Sequence, residues 1–379
     1  MLLTILALPQ CLAGELWSRH TIDDSLVGAD GVRLADFDGD GLQDIVTGWE
    51  ESGVIRLYLN PGPKNAKKPW SQVTVGLGKS VEDAVAFDVN GDGLLDVISC
   101  HEGKSKRVLV HQFDSTDPST KELLKSENWR TSIVPKLSGQ RWMFAAPVSL
   151  RGGSQAIVFG SKERNASLTI MIPPASGSSD INTWSVRKLR DCGWIMSIQP
   201  MDMDGDGDTD IVFSDRRSKH RGVAWLEQPN SAPGEAEWHE HTIGATKTDA
   251  LFIDARPERV LVTTRRSQFL DLRKNSEGSW VAEKHANPVD VPFGKAIRVL
   301  SDGSIVLTAN THADSAPTKQ PAVWKLNLES GWQPICSVDE SKFDRIELID
   351  LDGDGDLDLL TCEERQLLGV VWYENPEID

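Results

Sequence analysis

The stretch "DFDGDGLQD", Asp36 to Asp44, packs four aspartates and two glycines into nine residues. Four carboxylates this close repel one another, so a folded chain that keeps them together needs something between them. The stretch recurs as "DVNGDGLLD" at 88–96, "DMDGDGDTD" at 202–210 and "DLDGDGDLD" at 350–358. A motif that returns at wide spacing marks a repeat, and the period of the repeat decides the fold.

A second mark returns more often. Tryptophan opens a short strand-like run at Trp17, Trp70, Trp129, Trp184, Trp238, Trp280 and Trp332, at intervals of 53, 59, 55, 54, 42 and 52 residues. Within each unit an apolar run enters the loop and a β-rich run leaves it ("DIVTG", "DVISC", "DIVFS", "DLLTC"). A third run follows ("GVIRLYLNPG", "GVAWLEQP", "GVVWYENP"), and the Trp run is the fourth. Four short strands joined by turns, with helical character only at 120–128, give an all-β chain. Three units carry loops without the aspartates, at 148–156, 254–259 and 300–304, yet their strands persist. Fold and aspartate loop are therefore separable.

The ends choose between an open array and a closed ring. The last unit stops before any Trp strand, and the first Trp strand comes before any loop. Seven triplets plus one displaced strand close a seven-bladed β-propeller of four-stranded blades, the N-terminal strand completing the last blade. Closure leaves only short, protected edges. The expectation is a single domain over 14–379, behind a possible signal segment at 1–13 that ends in small residues.

The net charge of −17 argues against nucleic acid or an anionic membrane as a general partner. No segment is apolar for long enough to span a bilayer, and a monomer is expected. Cys100, Cys192, Cys336 and Cys362 are scattered, so no disulfide can be assigned.

In D-x-D-G-D-G-x-x-D, side-chain oxygens fall at positions one, three, five and nine, with a backbone carbonyl at seven. Hard oxygen donors on a glycine-bearing loop suit calcium. The first ion is assigned to Asp36, Asp38, Asp40, Leu42 (carbonyl) and Asp44. The second takes Asp88, Asn90, Asp92, Leu94 (carbonyl) and Asp96. The third takes Asp202, Asp204, Asp206, Asp208 and Asp210, and the fourth Asp350, Asp352, Asp354, Asp356 and Asp358. About four calcium ions follow. An EF-hand is excluded: its position twelve needs Glu, and here it is Thr47, Ser99, Phe213 or Thr361.

With these loops the sequence resembles the FG-GAP or VCBS repeat family, the calcium-loop propellers known from the head of integrin α subunits. The resemblance implies a seven-bladed propeller, calcium in hairpin loops, and a secreted, periplasmic or cell-surface setting. It implies no single function. Members include adhesion modules, lectins and sugar-processing enzymes, and the chain also resembles the propeller part of aldos-2-ulose dehydratase and some polysaccharide lyases.

On the face opposite the aspartate loops, six residues past each loop, stand Glu50, Glu102, Lys162, Arg216, Arg265, Asn310 and Glu364. Blades seven, one and two contribute acids; blades three, four and five contribute bases. Glu363, Asp30, Glu82 and Asp83 join the acids; Arg217, Arg221 and Arg266 join the bases. Trp49, Trp142 and Trp194 fall in loops of this face, as do His101, His220 and His312. Two function classes follow. One is a module that binds carbohydrate or a protein partner there through residues such as Trp49, Glu50, Lys162, His220, His312 and Glu364. The other is a sugar lyase or dehydratase, with His101 as base oriented by Glu102, and Arg216 and Arg265 on the anionic group.

Overall fold

Runs such as Asp44–Trp49, Asp96–His101 and Asp358–Glu363 are β-rich and buried at every position. A strand buried on both faces has to lie inside a sheet and between sheets. The structure, a computed structural model, places them so. It describes residues 16–174, 180–231, 236–311, 320–327 and 329–376. The signal segment expected at 1–13 and His312 lie outside the described residues.

Blade one is Ala29–Ala35, Asp44–Trp49, Val54–Leu59 and Ser71–Leu77, paired antiparallel in that order. Five more blades repeat the order from Val81, Arg141, Ile195, Ala250 and Gly294. Blade seven takes Phe343–Ile349, Asp358–Glu363 and Gly369–Glu374 from the C-terminal end. Its fourth strand is Ser18–Asp23, paired from Ser18 opposite Glu374 to Asp23 opposite Val370 with a register shift between Thr21 and Asp23. The ring expected from the displaced Trp strand is therefore the observed one.

First strands touch first strands from blade to blade, round to blade one again, so they line the axis. Each of the seven hydrophobic clusters found among the described residues draws on neighbouring blades, six of them on two and one on blades three, four and five. One of the six joins Val46 and Leu57 of blade one to Val81 and Val97 of blade two. Trp17, Trp70, Trp129, Trp184 and Trp238 are buried at the head of the outer strands. Phe113 and Trp129 pack with ring centroids 5.1 Å apart. Each first strand breaks register near its start, as between Asp30 and Arg33 or between Ile195 and Ser197. Such irregularities bend a strand and re-aim its side chains, here at the rim where the blade-specific residues gather. Cys100, Cys192, Cys336 and Cys362 are free thiols. No helix among the described residues is long and apolar enough to cross a membrane.

Candidate functional site

Each aspartate loop joins the first and second strands of its blade. Position one closes the turn. Asp36 accepts the amides of Gly39 at 2.8 Å and Gly41 at 3.0 Å, and both glycines have positive φ (75° and 89°), which L side chains rarely adopt. Asp88, Asp202 and Asp350 repeat the arrangement. Oxygens of Asp36, Asp38 and Asp40 lie within 4.8 Å of one another, as do those of Asp202, Asp204 and Asp206, and those of Asp350, Asp352 and Asp358.

Position nine does something the sequence did not reveal. Asp44 is buried and accepts two amides at 2.8 Å, from Phe37 in its loop and from Asn60 beyond the third strand. Asp96 does the same with Val89 and Phe113, Asp210 with Met203 and Gln228, and Asp358 with Leu351 and Asn375. The fourfold repeat makes this residue a clamp between loop and sheet. Burial pushes Asp44, Asp96 and Asp358 up to about 7 and Asp210 to about 6, against the lowering by these amides; nearby aspartates add to the rise. A carboxylate oxygen that accepts one amide keeps a further lone pair, so ligation is not closed off. In loop four, Asp352 Oδ1 is buried without a hydrogen-bond partner. These donors fit a hard divalent cation. Loops three and four also hold side-chain cations. Arg151 reaches from the aspartate-free loop of blade three to Asp206 at 2.7 Å and to Asp208, and Lys67 stands 3.2 Å from Asp352.

On the opposite rim the structure revises several expectations. His101 ends a strand and is fully buried. Its Nε2 meets Ser99 Oγ at 2.8 Å and its Nδ1 meets the Lys79 carbonyl at 3.0 Å. Both ring nitrogens are therefore engaged, and Glu102 orients neither, so the expected histidine base is not available. Ser99 also meets His111 Nε2 at 2.8 Å. Burial lowers His101 to about 4 and His111 to about 3. Trp49 is buried too, with Nε1 donating to Tyr58 Oη at 3.0 Å, and Trp142 packs in the core against Phe159. Asp83 is gripped by Arg33, and Glu363 caps its own turn by accepting the Arg365 amide at 3.0 Å.

The division into an acidic and a basic half is also modified. Asp30, Glu50 and Glu82 bring carboxylates within 4.8 Å of one another. Lys162, counted with the bases, pairs with Glu102 and stands 3.6 Å from Glu82. Lys342 pairs with Glu364 and lies 3.5 Å from Asp344, which Lys295 also meets. Burial pushes Glu82 up to about 8 and raises Glu50 and Asp30, with repulsion from Asp344 and Glu82 added at Asp30. The acidic arc is cross-braced by lysines.

The basic side is built on Trp194. Asp215, at the end of a buried strand, accepts the amides of Gly193 and Trp194, both at 3.1 Å, and Arg190 holds it at 2.9 Å. Arg216 returns an amide to the Trp194 carbonyl at 2.8 Å. The indole then meets three cations: Arg216 at 4.5 Å, Lys162 at 4.6 Å and Arg217 at 4.7 Å from the ring centroid. Burial lowers Arg216 to about 10, and Arg217 and Arg265 add to the effect. Arg265 is exposed over Phe293, and His220 is exposed in its loop. Asn310 is 8% exposed. Asp215, Arg190 and Asp249 went unnoticed in the sequence. The one available signal was an acid directly before the rim position in blades four and seven, Asp215 and Glu363.

Residues 23–99 match the model of the FG-GAP-like repeat. No curated protein matches the chain. Among solved structures it is similar to BBS1N from its complex with ARL6DN, at 8% identity over 96% of this chain and 98% of that one, TM-score 0.57. A streptogramin B lyase is similar at 10% identity over 95% and 99%, TM-score 0.55. Sqt1 of Saccharomyces cerevisiae is similar at 11% over 95% and 98%, TM-score 0.55. Likeness at such identities carries the fold and no activity. The chain is a seven-bladed β-propeller whose first blade, and the start of its second, carry FG-GAP-like repeats.

Proposed function

We propose that the protein is a calcium-braced binding module that takes carbohydrate or a protein segment at the rim opposite its aspartate loops. The observation that favours the rim is Trp194 with Arg216 and Arg217, charged and aromatic groups gathered where the first strands bend. The aspartate loops are assigned to calcium on their donor chemistry, as bracing for the blades. A secreted or cell-surface setting suits this reading, because extracellular calcium modules bind at about 0.1–1 mM. The lyase alternative has lost the base expected for it, since His101 is buried with both ring nitrogens engaged.

A glycan array probed with the full chain, beside melting curves in calcium and in excess chelator, tests both halves. Binding that falls in Trp194→Ala at unchanged folding is expected. Withdrawal of calcium is expected to lower the melting temperature clearly, since metal that binds only the folded state adds about 3 kcal/mol per site at a hundred times Kd. An unchanged melt with metal loss confirmed would refute the calcium assignment. Binding indifferent to rim substitutions would refute the rim.

A further inference from the structure

Arginine holds a carboxylate best by the edge on which Nε–H and Nη2–H lie side by side. This protein uses that edge repeatedly. Arg33 grips Asp83 at 2.9 and 2.7 Å, Arg130 grips Asp114 at 2.7 and 3.2 Å, and Arg259 grips Asp271 at 3.1 and 2.8 Å. Arg216 has the same edge, and both nitrogens on it are buried with no hydrogen-bond partner. The residue is only 5% exposed. Asp249 stands 3.9 Å from its Nε, beyond hydrogen-bond reach, and is held by Arg221 at 3.1 Å. A buried guanidinium edge whose two donors find no acceptor is costly, and a planar anion is what satisfies it.

Two neutral groups of the same corner, one under the guanidinium and one next in the chain to Asp249, share the condition. Trp194 Nε1 and Thr248 Oγ1 are also buried without a hydrogen-bond partner. The first only donates, and the second donates and accepts. Trp194 lies under Arg216, and Thr248 adjoins Asp249 in the chain. Of the other charges nearby, Lys162 is paired with Glu102 and Asp249 with Arg221, while Arg217 and Arg265 stand exposed towards the solvent side. The buried edge of Arg216 therefore asks for one carboxylate, the buried indole N–H and hydroxyl ask for a hydroxylated body, and a chain of net charge −17 disfavours a polyanion.

We propose that this corner of the rim, between blades four and five, receives a hexuronate unit. Its carboxylate lies along the Nε/Nη2 edge of Arg216, and its hydroxyls meet Trp194 Nε1 and Thr248 Oγ1. Entry runs past Arg217 and Arg265, both exposed, whose side chains swing on the nanosecond scale. The inference rests on the rim being the ligand face and names what that face recognises.

The test is titration calorimetry of the full chain in calcium with galacturonate, glucuronate, galactose and N-acetylaspartate. A hexuronate is expected to bind and galactose to fail. Arg216→Gln is expected to weaken hexuronate binding by about tenfold or more. Arg216→Lys keeps the charge but removes the fork, so the same loss is expected there, with melting temperature showing that both variants fold. If neither hexuronate binds, or Arg216→Lys binds as well as the parent, the inference is overturned. N-acetylaspartate binding as tightly as the hexuronates overturns it in favour of an acidic peptide. A glycan or protein that binds the rim regardless of Arg216 overturns this assignment and leaves the rim as the ligand face.

Discussion

The two faces of the ring gather charge in opposite ways. On one face, like charges repeat. Four loops hold seventeen acidic residues, and the turn amides and the clamp from position nine repeat within each blade, with Arg151 and Lys67 added from neighbouring blades at loops three and four only. On the other face the charges differ from blade to blade and are settled between blades, Lys162 of blade three with Glu102 of blade two, Lys295 of blade six with Asp344 of blade seven. Local satisfaction can be copied with the repeat, whereas cross-blade pairing cannot, because each neighbour must hold the matching partner. That is why chemistry confined to one corner, as at Arg216, belongs on the second face.

The comparison breaks most sharply at the clamp. Asp96→Ala leaves the buried amides of Val89 and Phe113 unpaired and is expected to cost about 2–4 kcal/mol, even in chelator. Asp92→Ala, at the exposed tip of the same loop, is expected to cost little in chelator and much more in calcium. Urea unfolding of both variants in both conditions checks this. Equal costs in chelator would show position nine to be a metal ligand and no clamp.

The buried pair His101 and His111 belongs to neither face. The sign is set by the lowered values. The unfolded chain takes up protons near 6.5 while both rings stay neutral in the fold down to about 4 and 3, with Arg107 adding to the lowering at His101. Stability from the pair is thus full above pH 6.5 and is lost as pH falls towards 4. His111→Gln is expected to flatten the fall between pH 6.5 and 5 by about 2 kcal/mol relative to the parent. Denaturant midpoints at the two pH values measure it, and parallel slopes would contradict it.

The smallest effect is expected at Arg151. This exposed side chain occupies Asp206 and Asp208 as a resident counter-charge. Arg151→Ala is expected to tighten calcium at loop three alone, read as a shift of one class of sites in a calcium titration. Unchanged affinity would mean that the pairing yields to the ion without cost.

Much of this was legible in advance. The Trp runs, the strand triplets and the strand missing from the end of blade seven gave ring size and closure, because a blade is built from local periodicity and seven copies reinforce it. The rim was read less well, and for a geometrical reason. Counting six residues from each loop found the rim position, but Trp49 and His101 one residue earlier still belong to the second strand, where both faces are buried. Asp83 similarly sits inside, against Arg33 of blade one.

The sequence by itself determined the seven blades, the displaced strand and the four acidic loops, all properties of short segments whose pattern repeats. Only the tertiary structure decided which charges answer one another. Lys162 joins the acids, position nine binds backbone from two elements, and Arg216 keeps its donors unpartnered over Trp194. Hydrogen bonds and ion pairs act over a few ångströms, and residues that close are brought together from blades some fifty residues apart by the closing of the ring.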